Sequence, residues 1–131
     1  MSDIVYSAIR TPDGTVLESK HRHDYVTHTD KNGEKYMLDG GLDYKRTNIN
    51  KEPAEDLSMT LEDPHTKLNK VASWGSYGKD GDQPLVYIPI GDMTNEHLLA
   101  VIKLKHVHPN LNAAMVNELV YRGERNIIIT D

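Results

Sequence analysis

Three turn signals punctuate the first 46 residues: Thr11-Pro12-Asp13-Gly14, Lys31-Asn32-Gly33-Glu34 and Asp39-Gly40-Gly41. Proline presets φ, glycine accepts positive φ, and Asn-Gly is the strongest short hairpin signal in a sequence. The segments left between them are rich in β-formers. Ile4 to Ile9 and Thr15 to Ser19 read as one hairpin. His23 to Thr29 and Lys35 to Leu38 read as a second, and Leu42 to Arg46 as one more strand. An antiparallel meander of four or five strands is expected.

The remainder changes character. Residues 47–63 are polar and irregular, around Pro53 and the acidic Glu52, Glu55 and Asp56, with Leu57 to Leu61 as a further strand. Asp63-Pro64 has the chemistry of a helix start. A helix from Pro64 would put Leu68, Val71 and Ala72 on one face and stop near Gly75. A loop with Gly75, Gly78 and Gly81 follows, then a β run from Leu85 to Ile90. Thr94 is a good N-cap for a second helix. Met93 and Leu98 sit at the staple positions, and Leu98, Leu99, Val101 and Ile102 form its stripe. Asn110 can cap a third helix through Tyr121, with Leu111, Ala114, Met115 and Leu119 inward and Gly123 as its stop. Ile127 to Ile129 is a last short strand, apolar enough to cross to another chain. The expected class is α+β: an N-terminal antiparallel β meander, then about three short helices with an intervening strand and a short C-terminal strand, read as a single domain over 1–131.

Composition narrows the function. The net charge is −5, which argues against a partner such as duplex nucleic acid, because sequence-independent binders draw their affinity from dense Lys and Arg. Cysteine is absent, so thiolate nucleophiles, disulfides and Cys zinc sites are excluded. No run approaches the roughly 18 apolar residues of a membrane span, and the first residues lack the pattern of a signal peptide. No membrane partner and a cytoplasmic location are therefore expected. The aromatics are seven Tyr and one Trp, with no Phe, a choice that suits rims and interfaces.

The densest polar cluster is His21-Arg22-His23-Asp24-Tyr25. On a strand, His21, His23 and Tyr25 would share one face. His-x-His with a carboxylate is a metal-ligand pattern, and a metal-assisted phosphoesterase using His21, His23 and Asp24 is one enzyme reading. The other histidines show no supporting spacing. A helical histidine-aspartate phosphohydrolase does not suit a β region. No Gly-x-Ser-x-Gly is present, and the Gly75–Gly81 loop lacks the Gly-Lys-Ser/Thr ending of a phosphate loop. Trp74, the only tryptophan, is either a core anchor or a stacking platform for a purine. Five arginines are present, Arg10, Arg22, Arg46, Arg122 and Arg125. Their forks suit phosphate, and their plainer role is solvated charge.

The run Arg22 to Asp30, then Asn32-Gly33, Tyr36, Asp39-Gly40-Gly41 and Asp43-Tyr44, resembles a family of small phage-encoded proteins. So do Trp74-Gly75, Gly78-Lys79-Asp80-Gly81-Asp82-Gln83-Pro84-Leu85 and Asn117 to Arg122. The similarity spans most of the chain, and the family it resembles is the first-described Thoeris anti-defence proteins. The resemblance implies a sponge. Such proteins bind cyclic nucleotide immune signals, above all glycocyclic ADP-ribose, and hold them without hydrolysis. Some also bind cyclic oligonucleotides of the CBASS defence system. The implied assembly is a homo-oligomer, dimer or hexamer, with pockets between subunits, acting in the host cytoplasm.

A sponge needs an aromatic platform for adenine, arginines for phosphates, and groups that read sugar and base edges. Trp74, Arg22, Arg122, Asn112 and Gln83 supply those types. His23, Asp24 and Gly75 complete the candidate ligand-binding set. No catalytic residue, metal or cofactor belongs to this reading. A third reading is a phage protein that inhibits a host protein by direct contact.

Overall fold

A computed structural model describes residues 3–21, 23–78, 81–105 and 107–123. Arg22, Lys79, Asp80, His106, Arg125 and the expected strand at 127–129 lie outside the described residues. The class is α+β, with antiparallel strands first and short helices after. The chain divides into two compact units, Met1–Glu62 and Asp63–Asp131.

In the first unit, β1 (Ile4–Arg10) pairs antiparallel with β2 (Val16–Ser19), in the register Ser7 opposite Ser19 through Arg10 opposite Val16. Pro12 and Gly14 make the turn, with Gly14 at φ 91°. The meander does not continue as one sheet. The other side of β1 takes β6 (Glu55–Asp56) and, past a register shift, β7 (Met59–Thr60). β6 comes from a stretch expected to be irregular, while β7 lies within the strand expected at Leu57 to Leu61. Ser58 makes the join, its hydroxyl accepting from the Ala8 amide and donating to the Ala8 carbonyl.

A second sheet holds β3 (Val26–Thr29), β4 (Lys35–Asp39) and β5 (Arg46–Thr47). Asn32-Gly33 turns between β3 and β4 as its chemistry requires, and the Asp30 carboxylate accepts from the Asn32 and Glu34 amides. The expected strand at Leu42 to Arg46 is instead a turn followed by two paired residues. Side chains then take over from backbone. Asn48 accepts from the Met37 amide, and Asn48 and Asn50 both donate to the Lys35 carbonyl. Ile9, Leu17, Tyr36 and Leu38 form the buried cluster of this unit, with Val26 and Ala54 against it. Tyr36 keeps its hydroxyl satisfied there by donating to the Glu52 carbonyl.

In the second unit the first helix is a correction. α1 (His65–Leu68) is a single turn with Pro64 at its N-cap and no side-chain cap bond. Ser73 and Trp74, expected to end the helix, and Gly75 and Ser76, expected to open the loop, instead form β8 (Ser73–Ser76), which pairs antiparallel with β9 (Val86–Pro89). The apolar spacing at Leu68, Val71 and Ala72 mimics a helix, but one turn cannot propagate against the pairing on offer from β9. A 3-10 turn, Ile90–Asp92, leads into α2 (Asn95–Ile102), capped by Thr94 as expected, its hydroxyl accepting from the His97 amide. α3 (Pro109–Tyr121) has His108 rather than Asn110 at its cap, the His108 ring nitrogen accepting from the Asn110 amide. Leu68, Ile90, Met93, Leu98, Leu111, Met115 and Leu119 are buried in this unit. Among the described residues no helix is long and apolar enough to cross a membrane.

Candidate functional site

Trp74 lies on the hairpin of β8 and β9, directly across from Ile88, with Ser76 and Val86 next on the same face. It is half-buried and lies outside the buried core of its unit. Gly75 occupies the opposite face, across from Tyr87. A Cβ there would stand 3.1 Å from the Tyr87 ring and 3.2 Å from Leu85. The missing side chain is what lets the tyrosine and Leu85 approach the strand this closely. Val86 on β9, and Tyr77 and Leu85 just beyond the strands, are exposed. The loop between closes through the Gln83 amide, which donates to the Tyr77 carbonyl at 2.8 Å. Gly78, at φ 86°, carries no Cβ because the Gln83 side chain passes over it. The hairpin thus presents aromatic and apolar groups on both faces above a tightly turned, polar tip.

Arg122 is turned inward. Its Nε donates to Glu118 at 2.6 Å, one terminal nitrogen to Asn95 at 2.7 Å, and the other to the carbonyls of Ile90 and Gly91. It ties the end of α3 to the start of α2 and to the turn that follows β9. Glu118 is the partner that the sequence reading overlooked. It is 3% exposed and also accepts from His65 at 2.8 Å and Asn69 at 3.0 Å. Burial pushes its carboxyl up, and the bonds from Asn69, His65 and Arg122 outweigh burial and hold it below the usual range. A signal was present: Glu118 falls seven residues after Leu111, in phase with the apolar stripe. Asn112 donates its side-chain amide to the Ile102 carbonyl, the last turn of α2.

His23 and Asp24 sit in the first unit, between β2 and β3. The expected alternation of His21, His23 and Tyr25 along a strand is overturned, because β3 begins only at Val26 and His23 adopts φ 62°. A left-handed histidine is uncommon, and here Nδ1 meets the Tyr44 hydroxyl at 2.9 Å. Tyr44 in turn donates to Asp39, as does Arg46 at 2.9 Å. The Arg46 guanidinium is the main reason the Asp39 carboxyl is held below its ordinary range. Asp24 accepts from the Lys20 amide at 2.8 Å and lies 3.7 Å from the His21 ring. Ser19 locks the loop, donating to the Asp24 carbonyl and accepting from the Gly41 amide. Among the described residues no three His, Asp or Glu side chains converge as a metal would need.

The structure therefore joins Trp74, Gly75 and Gln83 on one hairpin, commits Arg122 and Asn112 to helix packing, and sets His23 and Asp24 in a bonded loop of the other unit. Compared with protein-family models, curated proteins and solved structures, the chain matches none.

Proposed function

We propose that the chain is a phage anti-defence protein that binds and sequesters a cyclic nucleotide immune signal of the glycocyclic ADP-ribose type without hydrolysing it. The observation that carries this reading is the hairpin. Trp74 is half-buried on a two-stranded ribbon, outside the core, where a flat base can stack on it. Gln83 stands at the exposed tip, with hydrogen-bonding groups of the kind that read a base or sugar edge. The resemblance in the sequence supplies the ligand class, the action in the host cytoplasm and the assembly into a homo-oligomer; cyclic oligonucleotides are a second ligand class on the same grounds.

Exposed Tyr77, Leu85 and Val86 on the same ribbon favour one other reading, direct contact with a host protein. One experiment separates the two. The protein is incubated with glycocyclic ADP-ribose, freed of unbound ligand and denatured by heat. A sponge releases the ligand intact; an enzyme releases product; a protein-contact inhibitor releases nothing.

A further inference from the structure

An ionised Asp39 can only accept, so the Tyr44 hydroxyl, 3.2 Å from its Oδ2, spends its one proton there. Tyr44 then has only lone pairs to offer His23, whose Nδ1 lies 2.9 Å away. Nδ1 therefore carries the proton of the neutral ring, and Nε2 is left with a bare lone pair. Asp39 is buried while His23 is exposed, so a buried carboxylate fixes the tautomer of a surface histidine through a tyrosine. Other histidines are arranged the opposite way. His28 and His65 meet Asp13 and Glu118 through Nε2, each at 2.8 Å, so that nitrogen holds a proton. His108 accepts at Nδ1 from the Asn110 amide, which puts its proton on Nε2. The loop of His23 is also braced. Its φ of 62° is one that most side chains avoid. The Asp24 amide donates to the His21 carbonyl, Ser19 bridges the Asp24 carbonyl and the Gly41 amide, and a Cβ on Gly41 would collide with the His21 backbone. Arg46 donates to the same Asp39 oxygen as Tyr44, and its side chain is 63% exposed, so part of its fork faces solvent.

We propose that His23 Nε2 is a phosphoryl acceptor, modified by donors of the phosphoramidate class. Its lone pair forms the new N–P bond as the P–N bond of the donor breaks, and the donor nitrogen, already protonated in the zwitterion, leaves as the neutral amine. The ring becomes an imidazolium that keeps its Nδ1 proton. The positive charge that appears there is met by Tyr44 and, behind it, the Asp39 carboxylate. Arg46 directs the site to phosphorus, because the open part of a guanidinium fork suits phosphoryl oxygens. Asp24 and Asp43, on the loops that carry His23 and Tyr44, oppose the storage of a free anion. The site therefore captures phosphate by covalent transfer and not by charge. The nucleotide reading concerns the hairpin of the other unit and is not needed here.

The test uses the full chain and potassium phosphoramidate near neutral pH. The product is read by intact mass, and by peptide fragmentation under alkaline conditions, where an N-phosphoryl histidine survives. A single phosphoryl group should appear, on His23. Tyr44→Phe keeps the ring and removes the hydroxyl, and should slow the reaction about tenfold, the worth of one hydrogen bond to a charged group. His23→Gly suits a positive φ and should abolish labelling without lowering the melting temperature. Proton–nitrogen NMR of the wild-type ring reads the tautomer directly, whatever the variants do, and should show Nδ1 protonated and Nε2 bare. An Nε2–H tautomer, labelling spread evenly over the histidines, or an unchanged rate in Tyr44→Phe overturns the proposal. Ligand release is measured separately, so a nucleotide that fails to bind leaves this result readable.

Discussion

His65 and Glu118 are 53 positions apart in the chain, and the imidazole Nε2 of one lies 2.8 Å from Oε1 of the other. With Asn69 and Arg122, they make a buried polar network inside an otherwise apolar core. A buried carboxylate is tolerable only while its partners are in place. Glu118→Ala leaves the Arg122 guanidinium, the His65 ring and the Asn69 amide without their acceptor. It should cost about 3 kcal/mol, the scale for breaking one side of a buried pair. Urea unfolding with an unchanged m-value checks it.

The same carboxylate sets an acid limit. Its folded pKa is depressed, so its contribution to stability is complete above the unfolded value of about 4.3 and is lost as pH falls through the folded value. Asp39, lowered chiefly by Arg46, acts with the same sign in the first unit. Melting temperature should be flat above about pH 5 and fall below it, and Glu118→Gln should flatten part of that fall.

Trp74→Ala should reduce nucleotide affinity about 5- to 150-fold, from a stacking contact of about 1–3 kcal/mol. Because Trp74 is only half-buried, stability should fall by less than the roughly 3–5 kcal/mol of a core tryptophan. Affinity and melting temperature measured on the same variant decide this. A large loss of both would place the ring in the core instead.

Gly40 and Gly33 both have positive φ, at 118° and 83°, but only Gly40 is crowded. An added Cβ at Gly40 collides with the Tyr44 carbonyl, while at Gly33 nothing lies within 4 Å. Gly33→Ala should therefore cost about 1 kcal/mol, the conformational term alone. Gly40→Ala should cost several times more, because backbone must move. Thermal melts of the two variants give the comparison directly.

Thr94→Ala removes the hydroxyl that accepts from the His97 amide and should cost about 1 kcal/mol. Thr94→Asn, which supplies another acceptor, should recover most of it in the same denaturation assay.

Where structure is made locally, the sequence was informative. Pro12-Asp13-Gly14 and Asn32-Gly33 turn as their chemistry dictates, Thr94 caps, and Leu111, Ala114, Met115 and Leu119 all face inward. What escaped was decided by distant partners. Ser73 and Trp74 are strand because Pro89 and Ile88 lie beside them, and no local signal in residues 64–75 announces that. His23 departs from strand geometry because Tyr44 and the bonded loop around Ser19, Asp24 and Gly41 hold it. For the candidate site, the rarity of Trp74 singled out the residue, but its place on a hairpin rather than at a helix end was set by β9. Arginine counting could not tell that Arg122 faces Glu118.

A ribbon of two strands has two open edges, and each invites another strand to add on. This one ends in Pro89 and is preceded by Pro84, residues that have no N–H to offer an incoming chain. On the β9 side, the exposed Leu85 and Val86 can therefore meet a ligand or partner through their side chains, while the backbone of that edge is a poor template for fibril growth.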